Sequence, residues 1–230
     1  MKKHLFYFVR HGQSILNKKG IRQDSHGQLS DKGVEQAHVS GERLENEIKL
    51  FGKMDVILCS PYDRTRETAG IINEHIKVEK PIEYNDLLAE RRNPSEMIGR
   101  SVDEPDVKKI VDIIDHSYHD DDFRYSDEEN FADLLDRAKR CLAWLETRKE
   151  KRIVVVTHGI FLKMLIDYIE IGDKLNAKEY NRLSFLNPSS NAGITVCQYT
   201  NGFFAPRRGE RWQLIDWNDH VDVDSKSTSI

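Results

Sequence analysis

Three short apolar runs constrain this chain more than any other feature. They are Leu5-Phe6-Tyr7-Phe8-Val9, Val56-Ile57-Leu58-Cys59 and Ile153-Val154-Val155-Val156. Each is too short for a buried helix and has no polar alternation, so each reads as a buried strand; the β-branched third run suits cover on both faces. Helical patterns fall between them. Ser30 or Asp31 can cap a helix whose face is Val34, Ala37, Gly41, Leu44 and Ile48. Ser60-Pro61 breaks the second strand and opens a helix to about His75. The clearest helical face is Phe131, Leu134, Leu135, Ala138, Leu142 and Leu145, and Gly159–Ile169 reads as another helix. Strand and helix alternate, which predicts an α/β fold with a mostly parallel central sheet. Residues 82–88 read as a short strand or extended segment, and 192–199 and 211–217 as two late strands. Residues 11–30 read as a long loop. Residues 93–127, with two prolines and no strand pattern, read as an insertion, and the tail from His220 as frayed.

The 230 residues suit one domain that can bury a core without disulfide staples. No apolar run approaches the roughly 18 residues of a membrane span, and Leu5–Val9 is too short for a signal peptide. Cys59, Cys141 and Cys197 form no CxxC or Cys/His spacing, so they read as buried reduced thiols of a cytoplasmic protein. The net charge of −4 argues against nucleic acid or an acidic membrane as partner. Yet residues 94–136 hold 14 acidic and 4 basic side chains. Such a stretch is either a solvated acidic surface or a lid over a cationic site, and composition does not choose between them.

In open parallel sheets, ligands sit outside the carboxyl ends of the strands. Arg10-His11-Gly12 and Thr157-His158-Gly159 both fall at such ends. A lone histidine is usually a satisfied structural residue; two at equivalent strand ends are less easily dismissed. Arg64, in the run Ser60-Pro61-Tyr62-Asp63-Arg64-Thr65-Arg66-Glu67-Thr68-Ala69, lies in the first turn of a helix, where an anion is favoured. An arginine there can offer phosphate two parallel N–H bonds. Glu90, in Leu87-Leu88-Ala89-Glu90-Arg91-Arg92, follows an apolar segment, although it could simply neutralise its neighbouring arginines. His26, His38, His75, His116 and His119 have no comparable context and read as surface residues.

These four runs, in this order, resemble the histidine phosphatase superfamily, the phosphoglycerate mutase-like proteins. The ending Trp212…Leu214…Trp217-Asn218-Asp219-His220 is similar to bacterial members with phosphatase activity. The resemblance implies a three-layer α/β/α core, one domain over 1–230, a helical cap at about 91–128 and a frayed tail at about 220–230. It implies that His11 takes the phosphoryl group, that Arg10, Arg64 and His158 form the phosphate pocket, and that Glu90 is the proton donor. Asn17 and Gln23 match the loop bordering the site. No cofactor or metal is implied, and the partner is a small phosphate ester, with a phosphoprotein left open; the oligomeric state is not readable.

The chemistry agrees with these residue types. Phosphoryl transfer is mostly positioning and charge stabilisation, which arginines and helix N-termini can supply. One imidazole nitrogen attacks while the other keeps its proton, held by a backbone carbonyl in the Gly12 turn. The leaving alkoxide needs a proton from Glu90, which burial and an adjacent phosphate would keep protonated. Bound phosphate would keep His158 charged. Arg22, Arg91, Arg92 and Arg100 could contact a second anionic group. Three rival readings exist. A metallohydrolase with His11 and His158 as ligands is opposed by the adjacent arginines. A mutase would share the pocket, but Asn93 stands where mutases carry a tyrosine three residues after the glutamate, and Ile160 where they carry asparagine. A non-catalytic phospho-ligand-binding protein would be expected to have lost part of the set.

Overall fold

A computed structural model describes residues 2–117, 119–186, 189–201 and 211–220. The first half runs β1 (Lys2–Arg10), α1 (Ile15–Lys18), α2 (Asp31–Phe51), β2 (Val56–Cys59), α3 (Asp63–Ile76), β3 (Glu83–Tyr84) and α4 (Pro105–His116). The second half runs α5 (Phe131–Glu146), β4 (Arg152–Thr157), α6 (Gly159–Ile171), α7 (Ala177–Leu186), β5 (Ile194–Asn201) and β6 (Trp212–Asp219). The strands form one sheet in the order β3-β2-β4-β1-β5-β6. The first four are mutually parallel, and β5 and β6 add an antiparallel edge.

Alternation along the strands builds two cores. Phe6, Phe8, Val56, Leu58, Ile153 and Val155 face one way and pack on α5 and α6, through Leu134, Ala138, Phe161 and Leu165. Tyr7, Val9, Ile57, Cys59, Val154 and Val156 face the other way and pack with Leu44 of α2 and Ala69 and Ile72 of α3. Both faces are covered, which is why the strands carry no polar alternation. The result is the expected three-layer α/β/α arrangement. All three cysteines are buried and free.

Ser30 caps α2, accepting from the Gly33 amide at 3.1 Å. A capping box starts α5, with Asn130 and Asp133 each accepting from the other's amide. The segment read as an insertion carries a short 3-10 turn at Ser95–Met97 and α4, with its own small core of Met97, Val107 and Ile110.

The elements depart from the sequence reading at three places. A short helix, α1, interrupts the expected loop, its first turn capped by Ser14. The helix α7 carries no clean apolar period and was not expected. His38 and His75 are not isolated surface residues: they are half-buried between α2 and α3, Nδ1 of one 3.0 Å from Nε2 of the other. The tail expected to fray lies, from residue 221, outside the described residues. Among the described residues no helix is long and apolar enough to cross a membrane.

Candidate active site

β1 and β4 lie side by side and parallel, with Arg10 opposite Thr157. The next residue of each strand is a histidine, so the two imidazoles meet at one sheet edge. The ring centroids of His11 and His158 are 5.1 Å apart, and both rings are buried.

The contacts of His11 specify its tautomer. Its Nδ1 lies 2.6 Å from the Gly12 carbonyl, which can only accept, so Nδ1 carries the hydrogen. Nε2 is then an unprotonated lone pair, and Arg64 Nε donates to it at 3.2 Å. Burial, followed by the charges of Arg64 and Arg10, holds the His11 pKa well below 6.5. His158 is held the same way, by burial first and then by His11 and Arg64. Both effects oppose a positive charge on His158 in the free site, in keeping with the expectation that bound phosphate would supply the counter-charge. Its Nε2 is 2.8 Å from the Ser60 hydroxyl, while Nδ1 is buried with no hydrogen-bond partner among the described residues.

Arg64 is 2 % exposed and fixed from two sides: Nη1 donates to the Asp24 carbonyl at 2.8 Å, and the guanidinium lies over the Tyr62 ring. Arg10 donates through Nη1 to the Ser189 carbonyl, and its buried Nε has no partner among the described residues. Gly159 makes room for it, since a Cβ there would sit 3.0 Å from Arg10 Nε. Gly12 packs against main chain. A Cβ on Gly12 would lie 2.3 Å from the Gly33 carbonyl oxygen, and one on Gly33 2.0 Å from the Gln13 oxygen. The two glycines let the loop after β1 lie against the start of α2.

Glu90 does not neutralise Arg91 or Arg92 through their side chains. Its carboxylate accepts from the amides of Arg91 at 2.9 Å, Phe161 at 3.1 Å and Ile160 at 3.4 Å. It thus occupies the N-terminus of α6, and two of that helix's first amides are already used. Arg137, buried on α5, holds this segment in place. It donates to the carbonyls of Leu87 at 3.2 Å, Ala89 at 2.7 Å and Glu90 at 3.4 Å, and pairs with Glu129 at 2.6 Å. Sequence reasoning missed Arg137 and Ser60; the one available signal for Arg137 was a charged residue inside the apolar face of α5.

A cleft of about 420 Å³ opens over these residues, walled by Arg10, His11, Asn17, Gln23, Arg64 and Glu90. His158 is not in the wall; its ring is buried against that of His11. Asn17 and Gln23 are engaged with each other, Gln23 Nε2 donating to Asn17 Oδ1, and Ser14 donates to Gln23 at 3.0 Å. The loop carrying them is pinned to the inserted segment by backbone bonds, Arg22 to Arg100 and Gly99 to Arg22 among them. A second cavity of about 310 Å³, at Leu142, Ile169 and Trp212, brings together none of the predicted site residues.

The pattern of the histidine phosphatase superfamily (branch 1) matches residues 6–219. The chain belongs to that superfamily. A Schizosaccharomyces pombe protein named probable phosphatase C1687.21 is 32% identical over 160 residues, covering 69% of this chain and 70% of its own. A Bacillus subtilis protein named uncharacterized phosphatase PhoE is 29% identical over 215 residues, covering 91% and 92%. Relatives named 2,3-bisphosphoglycerate-dependent phosphoglycerate mutase match at 26% (Buchnera aphidicola) and 27% identity (Borreliella afzelii). The solved alpha-ribazole phosphatase of Shigella flexneri superposes with a TM-score of 0.72 at 18% identity, over 95% of this chain and 99% of that one. This histidine phosphatase places its two strand-end histidines at the carboxyl ends of the adjacent parallel strands β1 and β4.

Proposed function

We propose that this histidine phosphatase hydrolyses phosphomonoesters in two steps through a phosphohistidine on His11. The observation that carries the reading is a neutral imidazole, locked with its proton on Nδ1, whose Nε2 faces the Arg64 guanidinium. A phosphoryl group entering there would meet a nucleophile and its counter-charge together. Nε2 attacks phosphorus as the ester P–O bond breaks, and Glu90 protonates the departing alkoxide. Water then attacks the phosphohistidine, giving its proton to Glu90, and phosphate leaves with Nε2 restored. Arg10 and Arg64 hold the phosphoryl oxygens, and His158 adds charge once phosphate is bound. In the free enzyme Glu90 accepts from three backbone amides. Asn17 and Gln23 would turn from each other to the ester. The scheme uses no metal or cofactor, and a small phosphate ester is the partner.

The mutase reading shares every one of these groups. Asn93 stands in the cleft wall where that reading wants a tyrosine, which favours transfer to water. We take the chain as one domain with its insertion over the cleft, and its three buried free thiols suit a cytoplasmic location. The test is p-nitrophenyl phosphate with wild type and His11→Ala. Turnover by the wild type alone, with 32P trapped on His11 from labelled substrate, is expected. Wild-type inactivity over a wide pH range, or label on another residue, rejects the scheme.

A further inference from the structure

Three arginine Nε atoms are buried with no hydrogen-bond partner among the described residues: those of Arg10, Arg22 and Arg91. Arg10 belongs to the phosphate pocket. Arg22 and Arg91 lie outside it and the proposed chemistry uses neither. Elsewhere the chain matches its arginines to carboxylates: Arg100 to Glu104, Arg124 to Asp133, Arg137 to Glu129 and Arg148 to Glu83. Arg22 has no such bond among the described residues. Its guanidinium stands in the wall of the same cleft as His11, near enough to Arg91 for the two charges to oppose one another. Arg91 has one long contact, Nη2 to Asn93 Oδ1 at 3.4 Å. Asp115 on α4 acts on Arg22 through its field without forming an ion pair with it.

Two like charges, half-buried and short of acceptors, raise the energy of the empty cleft. Both are held there by main chain. The Arg22 amide donates to the Arg100 carbonyl at 3.0 Å, and the Arg22 carbonyl accepts from Gly99 at 2.8 Å. Arg92 and Arg100, the other candidates for anion contact, are spent: Arg92 donates to the Asp127 carbonyl at 2.9 Å, and Arg100 to Glu104 at 2.7 Å.

Resting on the phosphatase reading, we propose that Arg22, backed by Arg91, binds a second anionic group of the substrate, so that the preferred esters carry a carboxylate or second phosphate beyond the scissile one. Arg22 makes the contact and Arg91 raises the local potential.

The test uses pairs that differ in one anionic group: 3-phosphoglycerate against glycerol 3-phosphate, and fructose 1,6-bisphosphate against fructose 6-phosphate. Each is measured as substrate and as competitive inhibitor of p-nitrophenyl phosphate hydrolysis. The wild type is expected to favour the doubly anionic member of at least one pair tenfold or more. The pair that responds identifies the anion as carboxylate or phosphate. In Arg22→Ala, and less in Arg22→Lys, that ratio is expected to collapse toward one. Wild-type ratios below twofold in both pairs, or a ratio untouched by Arg22→Ala, overturn the proposal. Calorimetric binding of the same pairs to His11→Ala reads the anion site without turnover. If the wild type fails on p-nitrophenyl phosphate, the phosphatase reading falls, while the binding ratio still decides the role of Arg22.

Discussion

At the scale of single residues, the site works by refusing protons. His11 is buried beside Arg64 and Arg10, and both effects oppose a second proton on the ring, while the Gly12 carbonyl keeps the first on Nδ1. The pH dependence follows. An ordinary histidine loses nucleophilicity as pH falls through about 6.5. With its pKa held well below that value, His11 keeps Nε2 free, so kcat/KM should show no acid limb near pH 6.5. A profile of p-nitrophenyl phosphate hydrolysis from pH 5 to 8, corrected for substrate ionisation, checks this; a half-loss centred at 6.5 contradicts it. Arg64→Ala removes one preorganised donor and should cost about 2–4 kcal/mol of transition-state stabilisation, roughly a 30- to 1,000-fold drop in kcat/KM. A change under threefold would remove Arg64 from the phosphate pocket. Both residues were legible in the sequence because a strand-end position and a residue type suffice to suggest them. Ser60 and Arg137 were not, because what they do depends on a partner: a His158 nitrogen 98 residues along the chain in one case, and carbonyls some 50 residues back in the other.

Elements meet in this molecule at glycines, and two of them separate stability from activity. Gly159→Ala places a Cβ 3.0 Å from Arg10 Nε, the mobile end of a long side chain. Arg10 can yield, so folding should survive while kcat/KM falls at least tenfold. Gly33→Ala places its Cβ 2.0 Å from the Gln13 carbonyl oxygen, which is backbone and cannot yield cheaply. It should cost about 1–3 kcal/mol of stability, as overpacking does. Urea unfolding and kinetics on the two variants, side by side, check the contrast; a Gly33→Ala as stable as wild type contradicts it. The strands and most helices were legible because period and burial coincide in them. The clearest helix shows the limit of that logic. Its apolar face also carries Arg137, buried because three carbonyls and Glu129 receive its donors and its guanidinium lies over the Phe161 ring. The helix α7 was missed for the converse reason: its sequence, AKEYNRLSFL, presents no sustained apolar stripe. The pairing of His38 with His75 needed the crossing of α2 and α3, which Gly41 permits by leaving room for the His75 ring.

Across the whole molecule, these pKa shifts also set how stability responds to acid. His11 and His158 are fully buried, with folded-state pKa values well below 6.5, whereas the unfolded chain binds their protons at about 6.5. Below that pH the unfolded state takes up protons that the folded state rejects, so stability falls as pH drops. Each group contributes a slope of at most about 1.4 kcal/mol per pH unit, and two roughly double it. Asp167 on α6 acts in the opposite sense. Burial raises its pKa to about 6, against which the charge of Lys163 works only in part, and its Oδ2 has no hydrogen-bond partner among the described residues. Between its unfolded value, about 4, and about 6, the folded state binds a proton that the unfolded state does not, which adds stability on acidification. Glu150, lowered to about 2, is ionised in the folded state throughout this range. The net curve should therefore fall with increasing slope from pH 7 to 6 under the two imidazoles, and below 6, where Asp167 offsets about half of their joint slope, go on falling without steepening further. Urea midpoints at half-unit steps from pH 5 to 8 trace it. His11→Gln should shallow the fall, and Asp167→Asn should steepen it below pH 6 while leaving the slope above pH 6.5 nearly unchanged. A wild-type curve that is level from pH 7 to 6 would mean that the two imidazoles accept protons in the folded protein, and the neutral nucleophile on which the proposed chemistry rests would go with it.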